Sequence, residues 1–150
     1  VPDFAAHMFV FYYAVLSEVS PPTALSPFAA AAITGGDPYR TTLHSWKYTM
    51  PAFLVPFAFV LRPAGVGLLF RGRALEVASG AIPAAAGIAA LACGVQGWMF
   101  RRTTAPERLA LVAAGLLLLY PASGPDLAGL GLLATVVALQ RWRRAPASAT

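Results

Sequence analysis

The chain is short of almost everything a water-soluble enzyme needs. Only 11% of its 150 residues are charged, and acids number six against eleven lysines and arginines. Soluble domains usually carry about 25% charged residues. Cys93 is the single cysteine, so an internal disulfide and a cysteine-based metal site are excluded. There is no Ser/His/Asp set, no HExxH helix and no paired-aspartate motif, so the chain is not read as an enzyme. A basic face with interleaved aromatics is also missing, which argues against nucleic acid as a partner.

What is present is apolar sequence, 58% of the chain. That composition predicts an all-α, polytopic membrane protein. A helix needs roughly 20 residues to cross the bilayer, so the length allows four or five crossings. The chain starts Val1-Pro2-Asp3 with no initiator Met or cleavable leader. It is expected to be the C-terminal piece of a longer protein.

The organising stretch is Ser17-Glu18-Val19-Ser20-Pro21-Pro22-Thr23. Apolar runs flank it, Phe4 to Leu16 and Ala24 to Ile33. They give roughly 20 Å and 15 Å of helix, each too short for a hydrocarbon core of about 30 Å. End to end they cross it once, with the break near mid-membrane. Proline has no N–H, so Pro21 is expected to free the Ser17 carbonyl, Pro22 that of Glu18 and Pro27 that of Thr23. Free carbonyls and hydroxyls at the end of one half-helix suit a hard cation such as Na+. The N-terminal pole of the next half suits a carboxylate. Broken helices with both features occur in secondary transporters. The alternative is a proline-kinked helix without a ligand.

The chain divides into a broken transmembrane helix at 1–36, an interfacial amphipathic helix at 37–50, transmembrane helices across 51–144 and a disordered tail at 145–150. Gly35 or Gly36 is expected to end the first span, with Asp37 capping the next helix and Pro38 in its first turn. Tyr39, Leu43, Trp46 and Met50 form an apolar stripe, with Arg40, Thr41, His44 and Lys47 mostly off it. His44 reads as solvated, and His7 and Glu18 lie too far apart along a helix to touch. Pro51 to Phe70 reads as one crossing kinked at Pro56 and Pro63, with Arg62 either snorkelling at a polar boundary, the favoured reading, or inside the bundle facing a partner acid. Ala74 to Phe100 reads as another, with Gly80, Gly87 and Gly94 forming a seam for close helix packing. Leu109–Tyr120 and Leu127–Gln140 read as a hairpin joined by Pro121 to Asp126.

Positive charge sets the orientation. Arg40, Lys47, Arg101, Arg102, Arg108, Arg141, Arg143 and Arg144 fall on one side, Arg71 and Arg73 on the other. The first side, with the C-terminus, is expected to be cytoplasmic.

Two blocks resemble the large membrane subunit of TRAP transporters, especially the form in which small and large subunits are fused. One runs from Ala6-His7-Met8-Phe9-Val10-Phe11-Tyr12-Tyr13 through Ser20-Pro21-Pro22-Thr23-Ala24-Leu25 to Gly36-Asp37-Pro38. The other is Pro51-Ala52-Phe53-Leu54-Val55-Pro56-Phe57. Together they cover roughly residues 1 to 63. The resemblance implies an elevator-type permease in the inner membrane. It would import organic acids, often carboxylates, by sodium symport, with a periplasmic or other extracytoplasmic binding protein delivering the substrate. The family usually reads Thr-Pro-Pro at the break, with Gly three residues before. Here Ser20 and Ser17 take those places. The resemblance implies that Ser17, Ser20 and Thr23 help bind one Na+, with Glu18, Pro21 and Pro22 shaping the site. Glu18 would neutralise the cation, couple a proton, or pair with a polar group in the rest of the permease. The opposite hairpin and another sodium site would lie upstream of Val1. No cofactor is expected beyond Na+ as coupling ion. The alternative function is a non-transporting membrane assembly or scaffold subunit.

Overall fold

A computed structural model describes residues 1–61, 69, 72–120 and 123–142. It is all-helical. Helix α1 spans Asp3–Leu16 and α2 Leu25–Thr34. Then come α3 (Pro38–Thr49), α4 (Val55–Val60), α5 (Ala74–Gln96), α6 (Ala105–Leu119) and α7 (Ser123–Trp142). The roles expected of Arg62, Pro63, Arg71, Arg143, Arg144 and the 145–150 tail lie outside the described residues.

The helix ends follow local chemistry. Gly35 closes α2 in the left-handed region (φ 71°), and the Gly36 N–H returns to the Ala31 carbonyl. The Asp37 carboxylate accepts the Arg40 N–H at 2.7 Å, and Pro38 follows as the first residue of α3. The stripe residues Tyr39, Leu43, Trp46 and Met50 of this helix and its end are all exposed.

Two expected boundaries are corrected. The stretch after α3 is not one kinked helix in its described part. A 3₁₀ stretch, Met50–Leu54, leads into α4. Pro56 cannot donate to Ala52, so the chain tightens first and restarts with Pro56 in the opening turn of α4. Helix α5 ends at Gln96 rather than Phe100. Gly97 turns left-handed (φ 78°), and the N–H groups of Gly97 and Trp98 both reach the Cys93 carbonyl.

Among the described residues α5 is the one helix long and apolar enough to cross a membrane. Its 23 residues span about 35 Å. Helix α6 has 15 residues and α1 has 14, both short of a crossing by themselves.

Helices α5, α6 and α7 share a core of Ala90, Leu111, Ala114 and Val136, flanked by Cys93, Met99, Ala110 and Leu133. The seam expected of α5 is there: Gly80, Gly87, Ala90 and Gly94 are buried. A β-carbon on Gly87 would stand 3.1 Å from the Gly115 carbonyl oxygen, and one on Gly94 3.1 Å from that of Arg108. On α6, a β-carbon on Gly115 would stand 2.7 Å from the Gly87 carbonyl oxygen and would run into the Leu91 side chain. The two backbones therefore touch with nothing between them.

A buried polar tie joins α6 to α7, and sequence reading missed it. Glu107 and Gln140 are 5% and 0% exposed. The Gln140 amide donates to Glu107 Oε2 at 3.2 Å and accepts from the Phe100 N–H at 3.3 Å. Glu107 Oε2 also accepts the Thr104 N–H at 2.8 Å, closing a capping box, and Arg101 lies 3.7 Å from its other oxygen. Each amide or carboxylate atom buried here thus has a partner, as a low-dielectric interior requires.

The glycine seam gives a direct test. Gly115→Val inserts bulk where backbone already meets backbone and is expected to cost about 1–3 kcal/mol or more by overpacking. Gly131→Ala, inside α7 with nothing within 4 Å of the added carbon, should cost nothing and stabilise by up to about 1 kcal/mol. Thermal unfolding of the two variants in detergent reads the difference.

Candidate cation site at the helix break

The break between α1 and α2 is real and tightly organised. After Leu16 the chain makes a 3₁₀ turn, Ser17–Val19. Ser20 is then extended (φ −125°, ψ 148°), as the residue before a proline must be. The Pro21–Pro22 bond is cis, and Ala24 lies in the left-handed region (φ 43°, ψ 35°). An alanine there costs about 1–2 kcal/mol, so its surroundings must hold it. They do: Ala24 is buried, its N–H donates to the Ser20 carbonyl at 3.0 Å, and its carbonyl accepts the Phe28 N–H at 3.2 Å.

Thr23 and the backbone of Ser20 meet at the Ser17 carbonyl. The Ser17 carbonyl was expected to be free; it is not. The Thr23 hydroxyl donates to it at 2.5 Å, and the Ser20 N–H reaches it at 3.4 Å. The chain bends away at Ser20 and returns through the two prolines, which carries Thr23 back over the carbonyl that Pro21 cannot serve. A side-chain hydroxyl thus replaces the lost backbone donor.

The other two hydroxyls are committed in the same sense. Ser17 Oγ donates to the Ala14 carbonyl at 2.6 Å, and the buried Ser20 Oγ donates to that of Leu16 at 3.1 Å. All three protons point at backbone oxygens, so each hydroxyl oxygen keeps lone pairs for an acceptor role. Neutral oxygens of this kind fit a hard cation rather than a soft transition metal. Among the described residues no group of three or more His, Cys, Asp and Glu side chains is placed to hold a metal ion.

Glu18 lies on the exposed side of the 3₁₀ turn. His7 is occupied locally, with Nδ1 donating to the Asp3 carbonyl of its own helix at 2.7 Å. Sequence reading missed Ala24, because nothing in an alanine announces positive φ.

An aromatic clasp fixes α1 beside the break. Phe9 and Tyr13 sit 4.9 Å apart, ring centre to ring centre. Phe57 meets the Phe9 ring edge-on at 5.3 Å and Tyr13 at 6.3 Å, and Phe53 lies 5.9 Å from Tyr13. The Tyr13 hydroxyl donates to the Phe53 carbonyl at 2.6 Å. Phe28 and Tyr39 similarly join α2 to α3 at 5.8 Å. The clasp therefore locks together two stretches about forty residues apart.

Both stretches lie within one family match. Residues 1–70 match the sequence model for "Tripartite ATP-independent periplasmic transporter, DctM component". Over these residues, a little under half of the chain, the sequence is similar to the large membrane component of TRAP transporters. The TRAP match covers the break, the clasp, α3 and α4 and stops just before α5. Comparison with curated proteins and with solved structures gives no match. The family is one of membrane transporter components rather than enzymes.

The hydroxyl lid over Ser17 carries its own prediction. Thr23→Val leaves the carbonyl without its main donor and should destabilise the break by about 1–3 kcal/mol, whereas Thr23→Ser should behave like the parent. Hydrogen–deuterium exchange over residues 17–28 of the intact permease measures it: faster exchange in the valine variant alone is the expected result.

Proposed function

We propose that the chain is part of a Na+-coupled TRAP permease that imports organic acids such as carboxylates, delivered by an extracytoplasmic binding protein. In this reading α1 and α2 are the two halves of a broken transmembrane helix. Ser17, Ser20 and Thr23 contribute oxygens to a cation site, and Glu18, Pro21 and Pro22 shape it. The observation that carries the proposal is the coincidence of the TRAP match with a break at which the Ser17, Ser20 and Thr23 hydroxyls each donate to a backbone carbonyl, of Ala14, Leu16 and Ser17 respectively. A bound Na+ would supply positive charge beside the N-terminal pole of α2, favouring a carboxylate nearby. The remaining ligands would come from other parts of the permease.

Helix α3 fits the same picture as an interfacial helix. Its exposed stripe of Tyr39, Leu43, Trp46 and Met50 would face lipid, with exposed Arg40, His44 and Lys47 toward water. The protein would reside in the cytoplasmic membrane with α3 and the C-terminus on the cytoplasmic side.

Uptake by the complete permease with its binding protein in proteoliposomes tests the site. Ser20→Ala should raise the sodium concentration for half-activation about tenfold, the equivalent of one lost polar contact. Pro21→Ala with Pro22→Ala should weaken sodium activation further. Unchanged sodium activation in both variants removes the site, and sodium-independent uptake by the parent removes the function. Orientation has a separate test: a Gly72→Cys variant is expected to label from the external side, and labelling from the cytoplasm alone reverses the topology.

A further inference from the structure

The second half of the chain, beyond the TRAP match, carries a feature that transport does not call for. A groove of about 470 Å³ runs between α5 and α6, lined by Gly94, Val95, Ala105, Arg108, Leu109 and Val112. Its walls are apolar except at one end, where Arg108 stands. At its floor the two helices are in contact: a β-carbon on Gly94 would stand 2.8 Å from a Val112 methyl.

Arg108 is held in place without losing its charge. Its Nε donates to the Gly94 carbonyl at 3.0 Å and its Nη2 to that of Val95 at 3.1 Å, capping the C-terminus of α5. Both acceptors are neutral, and the side chain is exposed, so the remaining N–H donors of the fork are available outward. The adjacent acid, Glu107, is turned to the opposite side of α6, where Thr104, Gln140 and Arg101 engage it.

The loop beside Arg108 is built for a membrane surface. Trp98 and Arg102 face each other across an antiparallel bridge, and the Thr103 N–H closes the loop on the Gly97 carbonyl at 3.0 Å. Trp98 is 56% exposed and Arg102 is exposed. An exposed tryptophan next to a cation, at the end of an apolar helix about as long as a bilayer is thick, marks headgroup level.

We propose that this groove binds an anionic phospholipid, one acyl chain lying along Val95, Leu109 and Val112 and the phosphate resting on Arg108. The field of the exposed Arg102 adds to the attraction, and basic pockets between membrane helices select anionic headgroups in this way. Apolar walls with a fixed cation at one end match a diacyl lipid, not free phosphate, which has nothing to lay along the walls. The proposal rests on the reading that α5 crosses the membrane, and is independent of sodium coupling.

The test uses the complete permease in nanodiscs of phosphatidylcholine with or without phosphatidylglycerol, followed by detergent extraction and native mass spectrometry. The parent should retain phosphatidylglycerol in preference to phosphatidylcholine, and added inorganic phosphate should not displace it. Arg108→Gln should reduce that retention about fivefold. Because Arg108 also caps α5, Leu109→Trp provides a second variant: it fills the groove, keeps every charge, and changes a side chain that is 73% exposed. It should lower retention equally. Equal retention of the two lipids by the parent, unchanged preference in Leu109→Trp, or displacement by phosphate overturns the site. Failure of the parent to enter the nanodisc at all overturns the membrane reading of α5 as well.

Discussion

A backbone carbonyl deprived of its helical donor has to be covered, and in this chain the Thr23 hydroxyl covers that of Ser17. The need comes from Pro21, which has no N–H to give. The remedy comes from the route the chain takes afterward. Extended Ser20, the proline pair and left-handed Ala24 fold the segment back far enough for Thr23 to reach its target. The directions of α1 and α2 are set by this closure. The aromatic clasp of Phe9, Tyr13, Phe53 and Phe57 then anchors α1 against the stretch that follows α3. A break satisfied by hydroxyls differs in kind from a break left open. It costs less to keep in a low-dielectric setting, and it leaves oxygen lone pairs, rather than bare carbonyls, as the groups a cation would meet.

Much of this was legible because it is local. Asp37 before Pro38, glycine after the apolar run of α2, and the recurrence of Gly80, Gly87 and Gly94 are signals that short-range sterics and hydrogen bonding translate directly into structure. The break itself belongs with them, since two adjacent prolines cannot continue a helix. What escaped depends on return paths. That Thr23 donates to Ser17 cannot be read from spacing without knowing the turn between them. Ala24 gives no warning of positive φ. Glu107 and Gln140 are 33 residues apart and meet only because α6 and α7 form a hairpin. The Thr104–Glu107 capping box was available as a sequence pattern, but its reach to Gln140 was not. Two helix boundaries were misplaced for a related reason: hydrophobicity continues through Gly97 and across Pro51 and Pro56, while backbone chemistry ends or interrupts the helices there.

The two parts of the chain solve packing in different ways. Helices α5 to α7 bring backbones together on glycine and share a small aliphatic core, with the Glu107–Gln140 pair buried between α6 and α7. Helices α1 and α2 bury little: α1 buries Ala5 and Leu16, and α2 buries Pro27 and Ala31. Phe11 and Ile33 stand 63% and 86% exposed. In water such surfaces would drive association. Against lipid chains or other permease helices they are matched to their surroundings, and the polar work is confined to the break. That division puts oxygen chemistry in the part matched to the TRAP family and scaffold-like packing in the part beyond it.

The substitutions at the break can be weighed on this geometry. The resemblance implies glycine where this chain has Ser17 and threonine where it has Ser20. A side chain at 17 would obstruct the site if it pointed into the fold-back. It does not: Ser17 Oγ turns back along α1 to the Ala14 carbonyl, on the helix side of the break, while the carbonyl of the same residue faces Thr23. Position 20 loses only a methyl group, and its hydroxyl is anchored on Leu16. The exchange at 20 therefore keeps a hydroxyl and that at 17 adds one, neither altering the closure made by Thr23. The residue least replaceable on this argument is Thr23 itself, because its hydroxyl is both the cover of the Ser17 carbonyl and the candidate ligand. On the proposed reading both roles would draw on the same oxygen, so stability of the break and affinity for a cation would be coupled through a single atom.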